Sequence, residues 1–203
     1  MSDSAGGSFL LPPLALYIHI PWCVRKCPYC DFNSHAAGPT LPEEEYVDAL
    51  LADLDTDLRH VHGRPLTSIF FGGGTPSLMA PETVAGVIEA ARAAWPLAND
   101  VEITLEANPT SVEAGRFRGY ADAGVNRLSM GVQALNDDDL RRLGRMHSAA
   151  EARAAFDIAR NAFGRVSFDL IYARQRQDAA AWRRELTEAL EMAVDHLSLY
   201  QLT

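Results

Sequence analysis

Apolar and polar residues alternate along several short segments of the chain. In 101–106 the odd positions are Val101, Ile103 and Leu105, and the even ones are Glu102, Thr104 and Glu106. Side chains of a strand point alternately to its two faces, so this segment predicts a strand with one apolar and one polar face. Similar segments are 14–20, 66–71, 125–132, 165–172 and 195–202. Between them run stretches with apolar residues at helical spacing, predicting helices over 43–60, 81–95, 111–123, 137–143 with 149–161, and 178–193. Two of the helix starts, Leu41-Pro42-Glu43 and Ala80-Pro81-Glu82, place proline and acids in the first turn, where the missing N–H is harmless and the dipole favours carboxylates. Strand–helix alternation five times over, closed by a sixth strand, predicts an α/β fold with a parallel sheet and right-handed crossovers.

The polar faces choose among such folds. A sheet covered on both sides reads as continuous apolar runs. Here Tyr17 and His19, Glu102 to Glu106, Arg127, Ser129 and Gln133, Ser167 and Asp169, and His196, Ser198 and Tyr200 interrupt that reading on strand after strand. Helices cover the apolar side, so the polar set points inward, and a partial (β/α)6, TIM-like barrel results. Buried polar groups without partners cost about 1–3 kcal/mol each, so such a lumen is expected to hold water or a polar ligand. The plainer alternative is that these side chains bond to one another or face water on edge strands; the repetition over at least four strands favours the cavity.

Composition narrows the setting. The 203 residues are 48% hydrophobic and 22% charged, ordinary for a globular domain. A net charge of −9 and the lack of a basic block argue against nucleic acid as the main partner. Residues 1–9 have no basic start or long apolar run, which predicts a flexible polar tail rather than a secretory signal, with 10–203 as one core domain. No apolar run approaches the ~18 residues that span a bilayer. All three cysteines lie within 23–30, too few and too close for a disulfide framework, which fits a reducing, cytoplasmic setting and thiols that serve a metal or a reaction.

Those thiols, Cys23, Cys27 and Cys30, follow the first strand, at the end of a parallel α/β sheet where sites gather. Three thiolates at this spacing can bind zinc with His19 or His35 as the fourth ligand. They can equally hold three irons of a [4Fe–4S] cluster and leave the fourth iron open to a chelating ligand. Other strand ends also carry candidate groups. Gly72-Gly73-Gly74-Thr75 permits close backbone approach and suggests free N–H and C=O groups for an amino-acid moiety, although a tight turn explains three glycines equally well. Glu106, Gln133 and Asp169 end the third, fourth and fifth strands, and Arg145 follows in "LGRMHS". On residue type alone Arg145 reads as a solvated surface arginine, and His147 and His19 read as surface or internally satisfied histidines rather than haem ligands.

Taken together, "YIHIPWCVRKCPYCDF", "FFGGGTP", "LEANP", "SMGVQALN" and "FDLIYA" resemble the radical S-adenosylmethionine (SAM) superfamily, and within it the oxygen-independent coproporphyrinogen oxidase family. The resemblance covers 14–203. It implies a radical SAM core with a [4Fe–4S] cluster on Cys23, Cys27 and Cys30. It also implies SAM contacts from Tyr17, Tyr29, Gly73, Gly74, Thr75, Glu106, Gln133, Arg145 and Asp169, with Arg145 facing the SAM carboxylate and Tyr17 near the sulfonium. In this family one electron from the cluster cleaves SAM to a radical, so an electron donor to the cluster is implied as a partner. Three departures refine the expectation. Phe32 stands where porphyrinogen-oxidising members usually carry a fourth cysteine, so the chain is more similar to the branch of haem chaperones, which bind haem for delivery to haemoproteins; the alternative is the oxidase, decarboxylating a porphyrinogen. Gln175-Arg176 replaces a usual Pro-Gly, which puts the loop after the fifth strand in question. Family members also continue into a C-terminal region, expected to be absent here.

Overall fold

The structure, a computed structural model, describes residues 11–61, 63–194 and 196–203. The expected tail, residues 1–9, lies outside the described residues. In chain order the elements are β1 (Leu14–Ile20), β2 (Trp22–Cys23), β3 (His35–Ala36), α1 (Glu43–Val61), β4 (Leu66–Gly73), a 3-10 turn (Pro76–Leu78), α2 (Pro81–Ala94), β5 (Leu97–Ala107), α3 (Ser111–Ala114), α4 (Phe117–Asp122), β6 (Arg127–Gln133), α5 (Asp137–Arg142), α6 (Ala149–Ala162), β7 (Arg165–Tyr172), α7 (Ala179–Met192) and β8 (His196–Gln201). Six strands form one sheet in the order β1-β4-β5-β6-β7-β8, every neighbour pair parallel. β1 and β8 are its two edges, so the barrel is partial, as the alternation predicted.

The apolar face of each strand packs under the helices. Ile18, Ile69, Phe71, Ile103, Leu105, Leu128, Val166 and Phe168 are all buried and meet Val84, Ile88, Phe117 and Phe156 from α2, α4 and α6. Local signals fix the helix starts. Ser148 and Glu151 form a capping box on α6, and Asn136 and Asp178 accept the first free N–H groups of α5 and α7. The helix expected over 111–123 is two short ones, α3 capped by Thr110 and α4 starting after Arg116. Among the described residues no helix is long and apolar enough to cross a membrane.

The polar face does not behave uniformly. Near the strand starts, Glu102 receives Arg127 at 3.5 Å and Arg165; Arg127 also donates to Thr104 Oγ1 at 3.3 Å and to Ser167 Oγ at 3.0 Å, and Ser167 Oγ donates to Ser129 Oγ at 3.4 Å. This half of the lumen is filled by side chains that satisfy one another, so the expectation of water or a ligand along the whole lumen is corrected here. The two arginines and the carboxylate neutralise and solvate each other, and no ligand is required.

Candidate functional site

A cavity of about 470 Å³ opens at the other end of the strands. The loop bearing the cysteines forms one wall, and its shape follows from a few short bonds. β2 and β3 pair in parallel and close the loop at its base, with His35 N–H donating to Pro21 O and Ala37 N–H to Cys23 O, both at 2.7 Å. Lys26, the only lysine in the chain, donates to the carbonyls of Phe32 (3.1 Å) and Ser34 (3.3 Å). Cys30 N–H donates to Cys27 O at 3.1 Å, a turn that sets these two thiols on the same loop tip. All three thiols are free, partly exposed and line the cavity.

The zinc alternative finds no assembled ligand set among the described residues. His19 Nε2 lies 2.7 Å from Asn33 O and so helps to hold the cysteine loop, and His35 is exposed on β3. Among the described residues no three His, Cys, Asp or Glu side chains converge on a single ion. A [4Fe–4S] cluster makes a different demand, since each thiolate takes a separate iron.

The glycine loop forms the adjoining wall. Gly73 has φ +107°, and a Cβ there would sit 2.6 Å from the His19 ring; a Cβ on Gly74 would sit 2.5 Å from Trp22 O. Bulk is therefore excluded where this loop crosses the root of the cysteine loop. The expectation of free N–H groups is corrected: Gly73 N–H donates to Glu106 Oε2 (3.2 Å), Gly74 N–H to Ile20 O (2.6 Å) and Thr75 N–H to Trp22 O (2.7 Å). Thr75 O is taken by Leu78 N–H (3.0 Å), so what this loop can still offer from the backbone is the carbonyl oxygen of Gly73 and Gly74, an acceptor that suits an ammonium group.

Opposite the cysteines stands Arg145. It is not the solvated residue its type suggested. Its guanidinium donates to Asn108 Oδ1 (2.5 Å) and Gly131 O (2.7 Å) and lies 3.6 Å from Cys27 Sγ, while its Nε is buried with no partner. A cation so held can meet a thiolate or a ligand carboxylate. Beneath it is a support that sequence reasoning missed. Glu113 accepts from Asn108 N–H (2.8 Å) and from Ser77 Oγ, and Asn108 Nδ2 donates to Thr75 Oγ1 (3.2 Å). Burial pushes the Glu113 carboxyl up, against the pull of these donors. The Thr110-x-x-Glu113 spacing, a helix-start signature, was the available signal. Tyr29 lies against Cys27 and Arg145, and burial drives its phenol well above the usual range, so it stays protonated.

Glu106 and Asp169 reach into the same cavity from β5 and β7. Burial, then repulsion from Asp169, raises Glu106 to about 7; burial raises Asp169 to about 6, against the pull of Ser198 and of more distant cations. Two desolvated carboxylates facing one cavity are suited to ligand hydroxyl, ammonium or sulfonium groups. Gln133 joins them at the end of β6, where the register with β7 shifts and φ is +73°. Tyr17 is the exception. It does not line the cavity; its ring stacks at 6.0 Å on Phe70, it is 57% exposed, and it feels Glu106 at a distance. His147 lines the cavity but is only 5% exposed. Its Nε2 is 3.1 Å from Val132 O, and burial, then Arg145, depresses it to about 4, so it is a neutral, internally bonded histidine. At the mouth stand Val24, Phe32, Val112 and Met146, apolar yet each more than half exposed.

The comparisons agree with this geometry. The sequence profile of the radical SAM superfamily matches residues 17–178. This chain belongs to the radical SAM superfamily. It is 48% identical over 198 residues to the heme chaperone HemW of Haemophilus influenzae and 50% identical over 195 to that of Escherichia coli, in each case over 95% of this chain. The chain spans about half the length of these relatives, 52% and 51%. Among solved structures, coproporphyrinogen III oxidase (HemN) from Escherichia coli superposes with a TM-score of 0.84 at 29% identity, over 94% of this chain and 44% of that one. The radical SAM chain is thus an α/β partial barrel of the HemN type whose sequence sits on the HemW-like side. Membership implies a [4Fe–4S] cluster and SAM, and the residues present fit both, with three free thiols, an arginine with an orphaned buried Nε, and unneutralised carboxylates around one cavity.

The loop after β7 is the remaining question from the sequence. Without Pro-Gly it places Ala173 (φ +58°) and Arg176 (φ +63°) in the left-handed region, and ties itself with Gln177 N–H to Arg174 O at 3.0 Å and Arg174 N–H to Gln177 Oε1 at 3.3 Å.

Proposed function

We propose that this chain is the cluster- and SAM-binding core of a haem chaperone. The observation that carries the reading is the convergence of Cys23, Cys27, Cys30, Gly73, Gly74, Thr75, Glu106, Gln133, Arg145 and Asp169 on one cavity. In this reading the thiolates hold the cluster, the glycine-loop carbonyls take the ammonium of SAM, and the Arg145 guanidinium takes its carboxylate. Glu106, Gln133 and Asp169 bind the polar groups of the nucleoside and sulfonium, with Tyr29 beside the cluster loop and Tyr17 on the outer side of Glu106. When bound, the cluster and SAM together supply a one-electron reduction of a sulfonium C–S bond. The apolar mouth formed by Val24, Phe32, Val112 and Met146 suits a flat apolar ligand such as haem. A haemoprotein acceptor, an electron donor and a cytoplasmic setting complete the proposal.

The alternative is an oxygen-independent coproporphyrinogen oxidase. It is favoured by the fold likeness to HemN and disfavoured by Phe32 and by the lower identity to that enzyme. Anaerobic reconstitution with iron and sulfide, followed by haem titration and product analysis, separates the two. The chaperone reading expects stoichiometric haem binding and no protoporphyrinogen. Protoporphyrinogen formed together with 5′-deoxyadenosine would establish the oxidase instead. Replacing Cys27 with alanine is expected to reduce bound iron to background; a variant that keeps its full iron content refutes the cluster assignment.

A further inference from the structure

The backbone at Gln133 is unusual. Ala134 N–H donates to Val132 O at 3.0 Å across a single residue, Gln133, whose φ is +73°. That is a γ-turn of the rare, strained hand, in a residue with a side chain. Strain of this kind persists only where the surroundings over-determine the conformation. The surroundings here are centred on Arg174, which is 5% exposed. Its Nη1 donates to Ile171 O at 2.5 Å and to Gln133 O at 3.4 Å, tying the ends of β7 and β6 together where their register slips. Its Nη2 pairs with Asp139 of α5 at 2.9 Å and with Glu185 of α7 at 2.5 Å. Glu185 in turn accepts Leu135 N–H at 2.7 Å. The carbonyl of the turn's central residue is thus fastened to the buried guanidinium directly, and the amide just after the turn is fastened to it through Glu185.

We propose that Arg174 is a positioning residue: with Glu185 as its second arm it holds the Gln133 γ-turn, and so aims the Gln133 side chain into the cofactor cavity. The proposal rests on the reading of Gln133 as a cofactor-site residue given above. The five donors of a planar guanidinium can serve two carbonyls and two carboxylates at once, which a lysine ammonium cannot.

Hydrogen exchange and SAM affinity, measured on the full chain with its cluster reconstituted, test it together. In Arg174→Met the amides of Ala134 and Leu135 are expected to exchange about tenfold faster relative to the Ile103 amide, while SAM affinity falls by about tenfold. Arg174→Lys is expected to recover part of both. Asp139→Asn breaks an ion pair without touching the turn, so it is expected to lower thermal stability and leave both readouts near wild type. Adding Arg174→Met to Gln133→Ala should cost no further SAM affinity. Unchanged exchange in Arg174→Met, equal acceleration in Asp139→Asn, or additive losses in the double variant would each overturn the proposal. Should Gln133→Ala bind SAM like wild type while Arg174→Met still accelerates exchange, the clamp stands and the ligand role of Gln133 falls.

Discussion

The two halves of the lumen share one sequence pattern and reach opposite ends. At the strand starts, one carboxylate, Glu102, meets two arginines, and the hydroxyls of Thr104, Ser129 and Ser167 complete the set. Four residues further along β5, Glu106 faces Asp169 instead, and the Arg145 guanidinium lining the same cavity is held by Asn108 and Gly131 beside Cys27. Alternation tells which way a side chain points. Whether that space is filled or waits for a ligand depends on the local balance of charges, which alternation does not encode.

Breaking the filled half should have the largest effect. Arg127→Met leaves Glu102 with the half-exposed Arg165 as its remaining cation and takes a donor from Thr104 and Ser167, and is expected to destabilise the protein by about 3 kcal/mol in denaturant unfolding, because the better buried of the two ion pairs is broken. In the ligand-facing half the sign reverses. Glu106 has a folded pKa of about 7, raised above its ordinary 4.5. A raised carboxyl costs nothing below its unfolded pKa and its full penalty above its folded one. Ligand-free stability should therefore fall as pH rises from about 4.5 to about 7, and Glu106→Gln should flatten that slope and stabilise the protein at pH 8 by about 1–3 kcal/mol. A flat wild-type profile would place a hidden counter-charge in the cavity. The smallest effect is expected outside both halves. Arg176→Gly relieves a left-handed arginine and should stabilise by roughly 0.5–1 kcal/mol, read as a small rise in Tm.

Much of this was legible beforehand because period and position carry it. The bounds of β1 and β7 coincide with the segments read from alternation, and the candidate residues from Cys23 to Asp169 line one cavity because strand ends of a parallel sheet must cluster. The miniature β2–β3 pair was not legible, since two residues have no period. Nor was the fate of the glycine-loop amides, which depends on Ile20 and Trp22 lying within reach across the fold. Asn108 and Glu113 were hidden for a related reason: they act on Arg145 rather than on a ligand, and a helix-start signature disguised the glutamate. Arg174 occupies a loop whose missing Pro-Gly looked like a loss. In three dimensions its guanidinium supplies the fastening.

β1 and β8, the outer strands, each have a sheet neighbour on one side only. Tyr17 and Tyr200 stand on these flanking strands, both more than half exposed and both sensing the charge of Glu106. A closed cylinder would admit visitors through its top alone. Here β1 and β8 do not pair with each other among the described residues, so the sheet is an open trough with an exposed phenol on each outer strand.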